Sequence, residues 1–412
     1  MTSEQTFVVV GASLTAAKTA QRLRKDGFAG RVILVGAERE RPYERPPLSK
    51  GYLLGKEERD SIYVHEESWY ADNSVELLLG RRAVRLDVGA HEVELADGER
   101  LAYTKVLLAT GSSPRKLRLP GTDLDGVHYL RTVGNSERLR DTIRAGGRVV
   151  VVGGGWIGLE TAAAARQHGC DVTIVEPQAA PLRAALGDRL GGFFADVHRA
   201  QGVDVRLDTT VTEVRGSSGR VSAVVTGDGT ELAADAVVIG VGVEPRTELA
   251  GDAGLAVDDG VVVDAGLRTE QPDVYAAGDV ARSHYPRYGR GLRVEHWANA
   301  VRSAPVAARS MMGEQVAYDR VPYFFSDQYD VGMEFSGWFA PDGFDDIVVR
   351  GDVEAKAFQA FWLAGGRVVA GLHVNRWDDG VKPIEKLITG GTAVDPGQLA
   401  DPSVALADLA GD

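Results

Sequence analysis

The stretch VVVGGGWIGLETAAAARQHG, residues 150–169, carries a complete glycine turn between a predicted strand and a predicted helix. The run of valines predicts a buried strand, and the alanine-rich segment predicts a helix that ends at Gly169. Gly153 permits the tight turn, Gly155 lets a ligand approach the backbone, and Gly158 lets the helix pack on the strand. The stretch therefore predicts a dinucleotide site, with the diphosphate at the helix N-terminus, where free N–H groups favour negative charge.

The next strand ends in an acid at the spacing expected of a ribose ligand. The segment DVTIVE, residues 171–176, places Glu176 23 residues after Gly153. A carboxylate at this position accepts the adenosine ribose hydroxyls and repels a 2′-phosphate. Motif and acid together predict a site for NAD in preference to NADP.

A second copy of this pattern lies near the start of the chain. Residues 8–27, VVVGASLTAAKTAQRLRKDG, are identical to the first stretch at eight of twenty positions. Gly11 matches the first glycine, Ser13 and Ala16 replace the other two, and Glu38 ends the following strand. The copy predicts a second dinucleotide site, although a degenerate repeat that binds nothing is also open.

The repeat continues further along at a different offset. DGERLAYTKVLLATGSSP (residues 97–114) matches DGTELAADAVVIGVGVEP (residues 228–245), and both follow segments typical of β-hairpins. The sequence therefore predicts an α/β protein with two Rossmann-like dinucleotide-binding domains and an α+β C-terminal domain. The predicted boundaries are 1–112 with 243–320 for the first domain, 113–242 for the second, and 321–412 for the C-terminal domain.

Composition excludes several classes of function. The 46 Lys and Arg against 59 Asp and Glu give a formal charge of −13, which disfavours nucleic acids and anionic membranes as ligands. The longest apolar run, residues 149–159, has eleven residues, against the roughly 20 that a spanning helix needs. No signal peptide and no HExxH metal motif are recognisable. We expect a cytoplasmic protein without a metal site.

Further motifs carry a resemblance to a known family. They are RPYERPPLSKGYLLG (41–55), LLATGS (107–112), GVGVEP (240–245), VYAAGDVA (274–281), VEHWANA (294–300), PYFFSDQYDVGMEF (322–335) and GLHVNRW (371–377). With the glycine turns, they make essentially the whole chain similar to FAD-dependent, NADH-using ferredoxin reductases of the putidaredoxin and rubredoxin reductase type, which serve bacterial cytochromes P450 and Rieske oxygenases. The resemblance implies a glutathione-reductase-like flavoprotein fold, FAD and NAD as cofactors, a [2Fe–2S] ferredoxin as partner, and a monomer or weak dimer.

The motifs and the resemblance together assign a set of cofactor-binding positions. The first glycine turn and its acid would hold FAD, and the second turn and its acid would hold NAD. The assigned residues are Gly11, Ser13, Leu14, Ala16, Glu38, Arg45, Pro47, Lys50, Arg82, Ala83, Thr110, Gly111, Arg131, Gly153, Gly155, Ile157, Gly158, Glu176, Gly242, Asp279, Val280, Glu295 and Trp297. From the residues alone, Asp279 is also explained as a helix cap.

Three residues are assigned by resemblance to the hydride-transfer site. Lys50 is expected near the flavin N5 and paired with Glu160, and Trp297 is expected to cover the flavin and nicotinamide side. Simpler interpretations stay open, because an acid in a first helical turn stabilises the dipole and lysines are commonly solvated. Phe325 stands where the family often has Trp, which leaves partner choice and nicotinamide handling open. Arg246 stands where the family commonly has Asn, and the sequence assigns it no effect.

The number and positions of cysteines test other functions that the same fold supports. An NADH oxidase or peroxidase requires a redox cysteine soon after the first ribose acid, and residues 39–55 contain none. The single cysteine, Cys170, also excludes an intrachain disulfide. A monodehydroascorbate- or rubredoxin-type acceptor and a redox switch like apoptosis-inducing factor remain as alternatives.

Docking of an acidic ferredoxin requires a local basic patch on this acidic chain. The candidate clusters are Arg115, Lys116 and Arg118, and Arg287, Arg290 and Arg293. Each cluster is equally explained as a solvated face.

Overall fold

The computed structural model describes residues 5–340 and 343–410, which form two compact units. The first unit consists of the chain up to Pro46, Glu57–Ser113 and Val243–Arg320. The second consists of Pro47–Lys56, Pro114–Gly242 and the chain from Val321 onward. The predicted division into three domains stays a prediction.

Both units combine strand–helix–strand segments with runs of consecutive strands. The strands are β1 (Thr6–Val10), β2 (Arg31–Gly36), β3 (Val75–Leu79), β4 (Ala83–Asp87), β5 (Glu92–Leu95), β6 (Arg100–Ala102), β7 (Lys105–Leu108), β8 (Ser112–Pro114), β9 (Val127–His128), β10 (Arg148–Val152), β11 (Asp171–Val175), β12 (Asp204–Arg206), β13 (Val211–Ser217), β14 (Arg220–Thr226), β15 (Glu231–Ala233), β16 (Ala236–Ile239), β17 (Val243–Pro245), β18 (Val261–Val263), β19 (Val274–Ala276), β20 (Ala281–Tyr285), β21 (Arg290–Arg293), β22 (Tyr323–Gln328), β23 (Val331–Gly337), β24 (Asp346–Asp352), β25 (Ala357–Ala364) and β26 (Arg367–Val374). The helices are α1 (Leu14–Lys25), α2 (Glu67–Asp72), α3 (Val133–Arg144), α4 (Trp156–Gln167), α5 (Arg183–Ala200), α6 (Glu248–Asp252), α7 (Trp297–Met311), α8 (Lys382–Gly390), α9 (Pro396–Ala400) and α10 (Leu406–Leu409), with short 3₁₀ turns at Pro46–Ser49, Arg59–Ile62, Gly278–Val280 and Pro286–Tyr288.

The first unit is built on a parallel sheet in the order β19-β7-β1-β2-β3. Its central strand β1 is a run of valines because both faces of a parallel sheet are covered, and Val8 and Val9 are fully buried. Helix α1 packs against α7. Strands β4, β5 and β6 form a separate antiparallel sheet. This arrangement leaves the turn after β1 at the carboxyl edge of the sheet, where α/β proteins bind ligands.

The second unit repeats the parallel sheet, and its described residues also form two antiparallel sheets. The parallel order is β12-β11-β10-β16-β9, and the smaller antiparallel sheet has the order β13-β14-β15. The five-stranded antiparallel sheet has the order β22-β23-β26-β25-β24, with α8 packed on β26 and α9 on β24. Two Rossmann-like folds and an α+β C-terminal region are therefore present, and the predicted fold class is confirmed.

One apolar core joins the parallel sheet of the second unit to its five-stranded antiparallel sheet. Trp156 on α4 lies 5.7 Å from Phe194 on α5 and 4.9 Å from Phe324 on β22, measured between ring centroids. Leu53, from the short segment Pro47–Lys56, is fully buried in the same core. The core thus fixes this segment and the first strand of the antiparallel sheet against α4.

Candidate dinucleotide sites and a buried lysine–glutamate pair

The first glycine turn lies between β1 and α1. Gly11 has φ +119°, and a Cβ there would lie 2.1 Å from the carbonyl oxygen of Ala109, so only glycine fits. Ser13 precedes α1 in extended backbone and its hydroxyl makes no capping hydrogen bond. The first turn of α1 therefore presents free N–H groups, which suit a diphosphate.

A cavity of about 510 Å³ opens beside this turn. Its lining combines the glycine turn with four guanidinium groups and the acid at the end of β2. The predicted residues among the lining are Gly11, Ser13, Glu38, Arg45, Arg82, Ala83 and Thr110, accompanied by Arg81 and Arg246. A glycine cradle, a free helix N-terminus and several arginines fit the diphosphate of a dinucleotide such as FAD.

The acid of the first copy, Glu38, is held by side chains that follow it. The Tyr43 hydroxyl donates to Glu38 Oε2 at 2.5 Å, and the Arg45 guanidinium donates to Oε1 at 3.0 Å. Burial raises the pKa of Glu38, but the charge of Arg45 and the hydrogen bonds from Tyr43 and Arg45 outweigh it, so the net shift is downward. Glu38 is therefore an ionised acceptor at neutral pH.

Arg246, which sequence reasoning left without a role, closes another side of the cavity. Its backbone N–H donates to the carbonyl of Gly111 at 2.9 Å, its carbonyl accepts from the Thr110 hydroxyl at 2.8 Å, and its Nε donates to the Ser113 hydroxyl at 3.0 Å. Its charge also contributes to lowering the pKa of Glu38. The contacts tie this arginine, which directly follows the GVGVEP motif, to the predicted Thr110–Gly111 turn. The separation of 136 positions between Thr110 and Arg246 explains why the sequence assigned Arg246 no role.

The second glycine turn lies between β10 and α4. Gly153 has φ +103°, and a Cβ there would lie 2.5 Å from the carbonyl oxygen of Gly240. At Gly158 a Cβ would lie 2.0 Å from the Gly153 carbonyl oxygen, so helix and turn pack too closely for any side chain. Gly155 is the residue before α4. Gly153 and Gly158 thus have the local roles that the spacing predicts, and the approach of a NAD diphosphate to Gly155 stays a prediction.

The acid of the second copy, Glu176, is held by backbone groups. Its Oε2 accepts from the Gly154 N–H at 2.6 Å and its Oε1 from the Gln178 N–H at 2.9 Å. A carboxylate offers about four acceptor sites, so capacity for ribose hydroxyls remains. The carboxylate thereby links the glycine turn to the end of β11.

Lys50 and Glu160 meet in the second unit, as the resemblance implies. The Lys50 ammonium donates to Glu160 Oε1, and the same oxygen accepts from the Ser326 hydroxyl at 2.7 Å. Ser49 donates to Oε2 at 2.5 Å. Glu160 is buried, so these donors offset the cost of burying its charge. The Lys50 ammonium also lies 5.4 Å from the centroid of the Phe325 ring.

The remaining predicted positions fall in several places. In the first unit, Leu14 and Ala16 are buried in α1, Asp279 and Val280 lie in the Gly278–Val280 turn, and Trp297 begins α7 with its Nε1 donating to Glu44 at 3.1 Å. Glu295, also in the first unit, is ion-paired with Arg293. In the second unit, Arg131 precedes the N-cap of α3, Ile157 is exposed on α4, and Gly242 has φ +98°. The assignment of individual residues to a cofactor stays a prediction.

The basic clusters differ in how far acids neutralise them. Arg293 is largely buried and pairs with Asp259 and Glu295, and Arg287 lies 3.8 Å from Asp319. The cluster Arg115, Lys116 and Arg118 is exposed, and within the described residues Arg115 and Arg118 have no ion pair. Lys116 lies over the Tyr129 ring at 3.6 Å. Docking of a ferredoxin at either cluster stays a prediction. Neighbouring acids neutralise the Arg115, Lys116 and Arg118 cluster less than the other one.

Cys170 lies in the core of the second unit, and its Sγ donates to the Ile143 carbonyl at 3.3 Å. Burial raises the pKa of its thiol, which disfavours the reactive thiolate. Among the described residues, no group of three potential ligands could hold a metal ion, and no helix is both long and apolar enough to cross a membrane.

The comparisons with known proteins agree with this geometry. Family models for pyridine nucleotide-disulphide oxidoreductase and for reductase C-terminal match residues 5–304 and 323–410. The ferredoxin–NAD(+) reductase component of the anthranilate 1,2-dioxygenase system from Burkholderia cepacia is 41% identical, over 98% of this chain and 99% of its own. A ferredoxin reductase for the CYP199A2 system from Rhodopseudomonas palustris has a TM-score of 0.95 at 36% identity, covering 99% and 100% of the two chains. The reductase in a covalent putidaredoxin reductase–putidaredoxin complex has a TM-score of 0.94 at 37% identity, covering 98% of each.

Two dinucleotide folds followed by a C-terminal antiparallel sheet define a flavin-dependent oxidoreductase that uses a pyridine nucleotide. The chain belongs to the pyridine nucleotide-disulphide oxidoreductase family, among its ferredoxin reductases. The predicted resemblance and the predicted use of FAD and NAD are confirmed.

Proposed function

We propose that this protein passes electrons from NADH, through FAD, to a [2Fe–2S] ferredoxin that supplies a cytochrome P450 or a Rieske oxygenase. The observation that carries the proposal is the full-length match to the reductase of a reductase–putidaredoxin complex, with a TM-score of 0.94 over 98% of both chains. Because the match extends through the C-terminal sheet, it includes more than the dinucleotide folds that many oxidoreductases share.

The overall reaction sets what the chain must do. NADH gives up two electrons as a hydride, whereas a [2Fe–2S] ferredoxin accepts one, so each NADH reduces two ferredoxins and releases one proton. Bound FAD supplies the conversion between two-electron and one-electron transfer. The hydride step needs no general acid–base pair, and the chain contributes orientation and electrostatics.

Binding is assigned to the two glycine turns. In the first unit, Glu38 and the arginines of the cavity hold the ribose and diphosphate of FAD. In the second unit, the N-terminus of α4 holds the NAD diphosphate, and Glu176 accepts its ribose hydroxyls. The carboxylate at Glu176 makes NADPH the poorer substrate, because its 2′-phosphate is repelled.

Lys50 is assigned to the electrostatics of the reduced flavin. Its ammonium is held by the buried carboxylate of Glu160. A positive charge close to the flavin ring stabilises negative charge on the reduced flavin. Since NADH is supplied inside the cell, we expect the protein in the cytoplasm.

The test is an anaerobic titration of the purified holoenzyme. We expect NADH to bleach the flavin quickly, NADPH to do so weakly, and cytochrome c to be reduced only when a [2Fe–2S] ferredoxin is added. Rapid bleaching without transfer to any ferredoxin would assign a small-molecule acceptor instead. Slow bleaching to a persistent charge-transfer complex would indicate a redox switch. A protein that cannot be reconstituted with FAD would overturn the proposal entirely.

A further inference from the structure

Behind the Lys50–Glu160 pair, the second unit contains a continuous chain of buried hydrogen bonds. Ser326 Oγ lies 2.7 Å from Glu160 Oε1, and Gln328 Nε2 lies 3.2 Å from Ser326 Oγ. His198 Nε2 lies 3.0 Å from Gln328 Oε1, and the Tyr329 hydroxyl lies 3.3 Å from His198 Nδ1. The chain thus connects the carboxylate on α4 with β22 and with the end of α5.

The directions of these hydrogen bonds follow from the chemistry of the groups. An ionised carboxylate only accepts, so Ser326 donates to Glu160, and the Gln328 amide nitrogen donates to Ser326. The amide oxygen of Gln328 accepts, so His198 carries its proton on Nε2 and accepts from Tyr329 on Nδ1. Burial lowers the pKa of His198 to about 4, opposed by the hydrogen bond to Gln328, so the ring is neutral at physiological pH. Every donor therefore points toward Glu160.

Packing of the core alone does not require this chain of buried hydrogen bonds. His198, Gln328 and Ser326 are each at most 1% exposed, and burying such groups costs free energy that hydrogen bonds only offset. A fully satisfied buried network fixes one arrangement of its members. The amide of Gln328 cannot relay a proton by simple exchange. The hydrogen-bond chain therefore orients its members and does not conduct protons.

We propose that His198 and Gln328 are positioning residues, which act through Ser326 to hold the Glu160 carboxylate in the orientation that fixes the Lys50 ammonium. The role deepens the proposed function and rests on it for its part in hydride transfer. Neither residue contacts Lys50 directly. Their effect passes through the hydroxyl of Ser326, which is free to rotate once its donor Gln328 is removed.

The consequence at Glu160 is both geometric and electrostatic. A carboxylate that loses a hydrogen bond from a buried donor is held less firmly in one orientation. The charged groups that face Glu160 are the Lys50 ammonium and the Asp327 carboxylate, which interacts electrostatically with both members of the pair. Weakening the hydrogen-bond chain thus lets the Glu160 carboxylate move and loosens the Lys50 ammonium.

The test compares Gln328→Leu with Gln359→Leu. Gln359 is a matched control: it is 1% exposed, lies on β25 of the same antiparallel sheet, and its Nε2 has no hydrogen-bond partner among the described residues. Infrared difference spectra report the hydrogen bonding of the Glu160 carboxylate, identified as the stretching bands that Glu160→Gln removes. Stopped-flow bleaching by NADH, measured against pH, reports the effect on hydride transfer.

We expect Gln328→Leu to shift the infrared carboxylate bands of Glu160 and to slow bleaching by NADH about tenfold. Gln359→Leu should match the wild type in both readouts. His198→Leu should behave like Gln328→Leu, and His198→Gln, which keeps an N–H for Gln328, should restore the wild-type profile. Equal infrared spectra and pH profiles for the two glutamine variants would overturn the proposal.

Two further results keep the test decisive. If Gln328→Leu does not fold, Ser326→Ala removes the last donor with a smaller change of volume, and an unchanged Glu160 band in that variant overturns the proposal. Failure of the proposed function is separable, because wild-type protein that bleaches but does not reduce ferredoxin leaves the infrared and bleaching comparison intact.

Discussion

The two copies of the glycine turn share a backbone and differ in how the acid after the second strand is held. In the first copy, Glu38 is bound by the side chains of Tyr43 and Arg45. In the second, Glu176 is bound by the backbone N–H groups of Gly154 and Gln178. The first acid thus belongs to a wall of a cavity, whereas the second stiffens its own turn.

The helices after the two turns differ in the same way. Glu160 is buried in α4, and the equivalent position of α1 is Lys18, which is half-buried. One copy therefore carries a charged group into its core, held by Lys50 and by serine hydroxyls, and the other does not. A duplicated fold has kept its binding turn in both copies and placed the buried ion pair in only one.

The largest expected effect comes from adding one methyl group to each turn. Gly11→Ala and Gly153→Ala each force alanine into positive φ and against a carbonyl oxygen, at 2.1 and 2.5 Å; the backbone strain alone is about 1–3 kcal/mol. We expect Gly11→Ala to be purified without flavin. We expect Gly153→Ala to stay yellow, with a KM for NADH raised at least about tenfold. Flavin absorbance and steady-state kinetics measure the two effects.

The matched controls are Gly27→Ala and Gly169→Ala. Both glycines end the helix of their copy at positive φ, +82° and +86°, and a Cβ at either meets nothing within 4 Å. They carry the backbone strain without touching a turn, so flavin content and the KM for NADH should stay at wild-type values. Loss of flavin from Gly153→Ala alone would reverse the assignment of the two turns.

A smaller effect is expected on the choice of nucleotide. Glu176→Gln removes the negative charge but keeps an oxygen that can accept from Gly154, so kcat/KM for NADPH relative to NADH should rise about tenfold. Glu38→Gln serves as the comparison, because it should weaken FAD binding and leave the nucleotide ratio unchanged. An unchanged ratio in Glu176→Gln would separate this acid from the nucleotide.

A smaller effect is expected of Glu38 on the free energy of unfolding at acid pH. Its pKa is lowered in the folded chain, so its contribution to stability is present above its usual value of 4.5 and is lost as the pH falls through the lowered value. Between about pH 5 and pH 3, the free energy of unfolding should fall less steeply in Glu38→Gln than in the wild type. Urea midpoints across this range measure the difference, and parallel curves would contradict it.

The smallest effect is expected at Ser13, where the first copy departs from the glycine pattern. Its backbone is extended, at φ −130°, and its hydroxyl makes no capping hydrogen bond, so Ser13→Gly should change the free energy of unfolding by less than about 0.5 kcal/mol. FAD affinity should stay within about threefold. A larger loss of affinity, measured by fluorescence on FAD release, would show that the hydroxyl binds the diphosphate.

The local parts of these sites could be predicted because each depends on neighbours in sequence. A strand, a turn and a helix follow directly from the valine run and from Gly153, Gly155 and Gly158, and the positive φ of Gly153 and the close contacts at Gly153 and Gly158 agree. The acids Glu38 and Glu176 follow from the length of the unit between turn and strand end. The Lys50–Glu160 pair, 110 residues apart, was predicted only through the resemblance.

The partners that complete the sites could not be predicted, because they come from distant strands. Ser326 reaches Glu160 across 166 positions, and Arg246 reaches Ser113 across 133. The clustering of arginines in the sequence does not show that Arg293 is neutralised by Asp259, 34 residues away. In each case the tertiary fold, and no local periodicity, sets the contact.

The short segment Pro47–Lys56 belongs to the second unit, although the chain on either side of it belongs to the first. This interleaving has a consequence for synthesis on the ribosome. A nascent chain that has reached Gly242 holds neither unit complete, since the first still lacks β19 and the second lacks β22–β26. The first unit can therefore close only after Arg320 has emerged, and the second only after β22–β26 have followed. No single cut divides it into two halves that fold alone.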